Sequence, residues 1–222
     1  MSGSNKVLNR RVLIVTSVSA EKEAILRGLR NTNDFDVIVA GVGQAAAAVA
    51  TATALAKTQY NYVINAGIAG GFEGKAEVGS LAVSTEVVAA DLGAESYDGF
   101  LSLEELKLGS SKIEVEQAMV TRICAEAMEQ GIPVQEGAIL TLSTVTGTQE
   151  TANYLLERFP HAIAEGMEGF GVAEAAKQTQ IPVIEVRSIS NKVGPRDRES
   201  WRIKEALATL EKASSIFSEV FK

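Results

Sequence analysis

The chain has 222 residues, 46% hydrophobic and only 5% aromatic, so it can bury a sizeable aliphatic core in one α/β unit. A formal net charge of −7, with no Lys/Arg run, excludes nucleic acid and anionic membrane surfaces as expected partners. Cys124 and His161 are the only residues of their kinds, which leaves no disulfide framework and no zinc-type ligand spacing.

In chain order, Met1–Arg10 is polar, lacks a signal-peptide core and reads as a tail ahead of one domain over residues 11–222. Val12-Leu13-Ile14-Val15 suits a strand buried on both faces. Ser19 ahead of Glu21-Lys22-Glu23 marks a helix start, and places Glu23 in the first turn, near the carboxyl edge of strand one where α/β sheets bind ligands. Asp36–Ala40 is a second strand, and Gly41-Val42-Gly43 leads into an Ala-rich helix from Gln44; with no third glycine this is not a dinucleotide fingerprint. Tyr62–Asn65 is a third strand, ending in what reads as a bare loop, Ala66-Gly67-Ile68-Ala69-Gly70-Gly71, that offers backbone groups to a ligand.

Val78–Ala89 reads as one long strand or a pair turning at Gly79-Ser80, and Asp91–Ser111 as a loop, lid or subunit contact. Glu114–Gln130 is an amphipathic helix that contains Cys124 as a small buried hydrophobe. Gly137–Leu142 is a strand, followed by four hydroxyls in Ser143–Thr148 that cap the next helix, Glu150–Arg158, or face a ligand. His161 follows Pro160 at a helix-to-strand turn and is the only residue a Ser-His-Asp triad could use, so acid–base chemistry must rest on Asp, Glu, Tyr or Lys. Ala162–Ala164 is a short strand, Met167–Gln178 a helix, Ile181–Ile189 the last strand and Ser200–Phe221 a terminal helix. The alternation predicts an α/β fold with a largely parallel or mixed sheet.

Three motifs carry a resemblance: Ile64–Gly71, Gly166-Met167-Glu168-Gly169, and Val186-Arg187-Ser188-Ile189-Ser190-Asn191. In this order they resemble the purine nucleoside phosphorylase and nucleosidase superfamily. Within it they are similar to the methylthioadenosine/adenosylhomocysteine nucleosidases and, nearer still, to the futalosine hydrolases of menaquinone biosynthesis. The resemblance implies a single-domain nucleoside phosphorylase-like fold, a twisted mixed β-sheet flanked by helices. It implies hydrolysis of an N-glycosidic bond in the cytoplasm, no metal or cofactor, a small nucleoside as substrate, and a homo-oligomer, most often a dimer. Ala45–Ala56 and the segment after Asp91 are the candidate subunit contacts.

It also implies roles. Glu23 would orient and deprotonate the attacking water, Glu168 would grip the ribose and face the cation forming on it, and Met167 would lie against the ribose. Arg187 would support a site carboxylate. Ile68, Ala69, Gly70, Val145, Thr146 and Ser190 complete the substrate-binding set. Ile68 and Val145 depart from the serine and aromatic residue of the nucleosidases. The informative departure is Asn191, which stands where adenine-specific nucleosidases have an aspartic acid. A carboxamide cannot act as general acid, but its NH2 group suits N7 and O6 of a 6-oxopurine. Futalosine carries that base, and its carboxylate has Lys192 and Arg196 as candidate partners by proximity. The alternatives are cleavage of methylthioadenosine, adenosylhomocysteine or aminodeoxyfutalosine, phosphorolysis of a 6-oxopurine nucleoside, and non-catalytic nucleoside sensing. The role of Asp197 is open, with a solvated loop acid the simpler reading.

Overall fold

The structure, a computed structural model, describes residues 11–30 and 33–221; the expected tail, 1–10, lies outside the described residues. Strand and helix alternate as anticipated over the first five elements, β1 (Val12–Thr16), α1 (Ser19–Gly28), β2 (Phe35–Val39), α2 (Gln44–Lys57) and β3 (Tyr62–Gly71), and a further strand, β4 (Leu81–Ala89), follows β3 directly. Then come β5 (Gly93–Ser96), β6 (Gly99–Ser102), β7 (Lys112–Glu114), α3 (Gln117–Glu129), β8 (Val134–Thr141) and α4 (Gln149–Arg158). β9 (Ala162–Gly166), α5 (Gly169–Gln178), β10 (Val183–Lys192) and α6 (Ile203–Val220) complete the chain.

Eight strands form one mixed sheet. β3 pairs with β10, β10 with β4, β4 with β8, β8 with β9, and β9 returns to β3, closing a ring. β1 and β2 extend the sheet from β3, and β7 lies on β4. β1 is buried along its whole length, which is why its sequence is a continuous apolar run rather than an alternating one. One core packs α1, α3 and α6 against β1, β3, β4 and β10. A second packs α2 and α5 on the opposite face, around Leu13, Val15, Val63 and Phe170. Close helix contact depends on small residues: a methyl group at Gly28 would fall 1.8 Å from the Glu211 carbonyl of α6, and one at Gly171 would fall 2.2 Å from the Gln44 carbonyl of α2. Among the described residues no helix is long and apolar enough to cross a membrane.

Two expectations are corrected. Ala66–Gly71 is not a loop but the second half of β3, because its missing side chains let β10 and β9 approach it from both sides. Asp91–Ser111 is not structureless either; it folds into the separate hairpin β5–β6 ahead of edge strand β7.

Candidate active site

A cleft of about 300 Å³ opens at the carboxyl ends of β1, β3, β9 and β10, the edge where α/β sheets bind ligands. Its wall includes Ile68, Ala69, Gly70, Val145, Met167, Glu168, Ser190 and Asn191, all anticipated from the sequence. It also includes Ser17, Val18, Glu21, Val42, Glu165 and Trp201, which were not.

Glu168 caps α5, where β9 hands over to the helix. Its Oε1 accepts from Gly43 N–H at 3.1 Å, and its Oε2 accepts from Arg187 Nη2 at 3.3 Å. The Gly41-Val42-Gly43 turn thus delivers a backbone donor to this carboxylate, and Gly43 holds φ at +94°, a region that favours glycine. Arg187 is 1% exposed and lies behind Glu168 rather than in the cleft wall. Its Nε donates to Glu185 at 2.7 Å, and Glu185 also accepts from Asn65 Nδ2 at 3.2 Å. Burial disfavours the Arg187 charge, but Glu185, Glu168 and Glu21 outweigh it and hold the guanidinium pKa above its ordinary value. Burial pushes the Glu185 carboxyl up, against the opposing pull of Arg187.

Glu23 does not reach this cluster. It is exposed and outside the cleft wall. Residues two apart on a helix point to nearly opposite faces, so only one of Glu21 and Glu23 can face inward. That residue is Glu21, buried as the third residue of α1. Its Oε2 accepts from the N–H groups of Ser17 at 2.8 Å and Val18 at 3.2 Å, and its Oε1 accepts from Ile68 N–H at 2.9 Å. Gly67 makes the space: a methyl group there would lie 2.5 Å from Glu21 Oε1 and 2.7 Å from Arg187 Nη1. A carboxylate oxygen has two acceptor sites, so Oε1 of each of Glu21 and Glu168 keeps one. The sequence signal for Glu21 was available: an acid three residues past the cap reaches back to the backbone ahead of the helix.

In the same wall, Asn191 Oδ1 accepts from Ser190 Oγ at 2.8 Å and its Nδ2 donates to the Lys192 carbonyl at 3.0 Å. Ser190 Oγ also reaches the Ala69 carbonyl at 3.2 Å. Thr146 lies behind the wall, where it binds Glu165. Lys192 is paired with Glu73 at 2.6 Å, and Asp197 caps the short 3-10 turn Arg198–Ser200 through Glu199 N–H. Among the described residues, no Lys or Arg side chain forms part of the cleft wall.

Comparison with known proteins bears on the family and the fold. The family model described as the phosphorylase superfamily matches residues 17–222. A futalosine hydrolase of Streptomyces coelicolor is 45% identical over 222 residues, covering 91% of this chain and 92% of that protein. By structure, a 5'-methylthioadenosine/S-adenosylhomocysteine nucleosidase of Neisseria meningitidis, in complex with methylthio-immucillin-A, superposes with a TM-score of 0.84 at 20% identity, covering 95% of this chain and 99% of that one. A futalosine hydrolase mutant of Helicobacter pylori superposes with a TM-score of 0.81 at 20% identity and the same coverage.

Proposed function

The chain belongs to the phosphorylase superfamily, and from that premise we propose that it hydrolyses the N-glycosidic bond of futalosine, releasing hypoxanthine and dehypoxanthinyl futalosine. The observation that carries this reading is one cleft wall that holds the carboxylates Glu21 and Glu168 together with the carboxamide of Asn191.

Breaking the bond between sugar and base leaves positive charge on the ribose and negative charge on the departing purine. Glu168, oriented by Gly43 N–H and Arg187, faces the ribose and stabilises the cation. Glu21, clamped by backbone N–H groups, holds the water and takes its proton as the oxygen bonds to the sugar carbon. Met167 lies against the ribose. Asn191 Nδ2 has one hydrogen committed to Lys192 and offers the other to N7 or O6 of the base. A phosphorylase would need an anion site with free cations. Among the described residues the one buried guanidinium, Arg187, is already held by Glu185 and Glu168, which favours water over phosphate as the acceptor.

Residues 11–222 act as one catalytic domain in the cytoplasm. The protein assembles as a homo-oligomer, a dimer being favoured; Val42 and Val49, at 58% and 68% exposed beside and on α2, are candidate contacts. Light scattering tests the assembly. The activity is tested by release of hypoxanthine from futalosine, and by its loss in Glu168→Gln.

A further inference from the structure

Glu185 and Arg187 stand two apart on β10 and so share one face of the sheet, in register with Asn65 and Gly67 of β3. Glycines clear the space around them. A methyl group at Gly169, the first residue of α5, would fall 2.0 Å from Glu185 Oε2, and one at Gly166 would fall 3.2 Å from Arg187 Nη2. At Gly67 it would meet Arg187 Nη1 and Glu21 Oε1 together. The guanidinium thus stands among three carboxylates, Glu185, Glu168 and Glu21, and each of them acts on its charge. Its Nη2 donates to Glu168, and its Nη1 donates to the Ile68 carbonyl at 3.4 Å, while Ile68 N–H donates to Glu21.

Glu185 is 1% exposed and is not part of the cleft wall, so any effect it has on the reaction passes through its neighbours. Its Oε1 accepts from both Arg187 Nε and Asn65 Nδ2. Among the described residues its Oε2 has no hydrogen-bond partner. Its backbone N–H donates to Ser84 Oγ of β4 at 2.9 Å, and the charges that act on its carboxyl are those of Arg187 and Glu168. Glu165 of β9 lines the same cleft but is bound by Thr146. A buried ion pair of this kind gains little over apolar side chains of similar volume. A bare buried oxygen adds a desolvation cost. Packing alone therefore gives no account of a carboxylate at this position.

We propose that Glu185 is a positioning residue for bond cleavage: it anchors Arg187 by Nε and takes up part of its charge, so that the guanidinium aligns Glu168 and Glu21 without neutralising them. The proposal rests on reading the cleft as a nucleosidase site. Without the Glu185 charge, Arg187 would give its whole charge to the other two carboxylates. Glu21 would become a weaker base toward water, and Glu168 would face the ribose cation with less negative charge. Without the Nε anchor, the guanidinium would also lose its fixed orientation toward Glu168.

The test measures futalosine hydrolysis across pH, with thermal melts, in wild type, Glu185→Gln and Glu185→Asp. Glu185→Gln keeps the shape and removes the charge, and its kcat is expected to fall about 10- to 100-fold with KM little changed. The acid limb of its kcat profile reports the base that must be ionised. Loss of a neighbouring negative charge favours ionisation, so that limb should move to lower pH by about one unit. Glu185→Asp keeps the charge and shortens the reach, so kcat should fall about 3- to 10-fold with the acid limb in place. An acid limb that stays in place in Glu185→Gln overturns the proposal whatever happens to Tm, since a structural role alone lowers Tm and the folded fraction without moving it. Should Glu185→Gln not fold, a wild-type kcat in Glu185→Asp overturns it. A wild type that releases hypoxanthine, beside a Glu185→Gln enzyme with an unmoved limb, defeats this inference alone. A wild type that releases none defeats the reading of the whole site.

Discussion

Two acids two residues apart, Glu21 and Glu23, separate a structural account of this site from a positional one. Both stand near the start of α1, but only Glu21 is in its first turn, buried and bound by Ser17, Val18 and Ile68 N–H groups. Glu21→Gln is expected to lower kcat for base release by about 100- to 10,000-fold, while Glu23→Gln stays near wild type. Steady-state assays of the two variants side by side check this, and equal losses would contradict it. Glu165 makes a second prediction at this scale. Burial raises its folded pKa above the ordinary 4.5, so the folded state binds more protons than the unfolded state in that window. Its contribution is then fully present below pH 4.5 and is lost as pH rises through the raised value. Glu185 shifts in the same direction, so Glu165→Gln should flatten the fall in Tm on going from acid to neutral pH without abolishing it. Thermal melts across that range, with and without the substitution, measure the difference.

At the scale of elements, β3 holds the most information. Its first half, Tyr62–Asn65, reads as a strand because it is apolar and β-branched. The second half does not, because glycine and alanine carry little strand propensity and the pairing that makes it a strand comes from distant β9 and β10. The same limit hid β7, a three-residue edge strand fixed by β4. Helices were read within a few residues, since their periodicity is local. Neighbouring glycines of β3 should behave differently when replaced. A methyl group at Gly71 would fall 2.1 Å from the Ala76 carbonyl, so Gly71→Ala is expected to destabilise by about 1–3 kcal/mol. At Gly70 it meets Val193 at 3.0 Å, Asn191 Nδ2 at 3.3 Å and Glu165 Cγ at 3.6 Å, and the last two belong to residues of the cleft wall. Gly70→Ala should therefore raise KM for the nucleoside more than it lowers the denaturant midpoint. Denaturation curves and kinetics on both variants separate the two effects.

Over the whole molecule, alternation of strand and helix made the α/β class legible, but not the ring that places β10 between β3 and β4. That closure brings segments far apart in sequence, Ser17–Glu21, Ile68–Gly70, Glu165–Glu168 and Ser190-Asn191, to one cleft. The residues recognised by motif mostly sit in its wall. Of those missed, Glu21 carried a local signal as the third residue of α1, whereas Glu165 faces the cleft only through a strand register that no local pattern reports. The cleft wall holds carboxylates and the amide of Asn191 and, among the described residues, no Lys or Arg. The central claim is that this arrangement uses water to free a 6-oxopurine. The most direct measurement is base release from futalosine, aminodeoxyfutalosine, methylthioadenosine and inosine in phosphate-free buffer. Hypoxanthine from futalosine, with little or no adenine from the 6-amino substrates, is the predicted result. Adenine released as readily as hypoxanthine, or no release until phosphate is added, would contradict it.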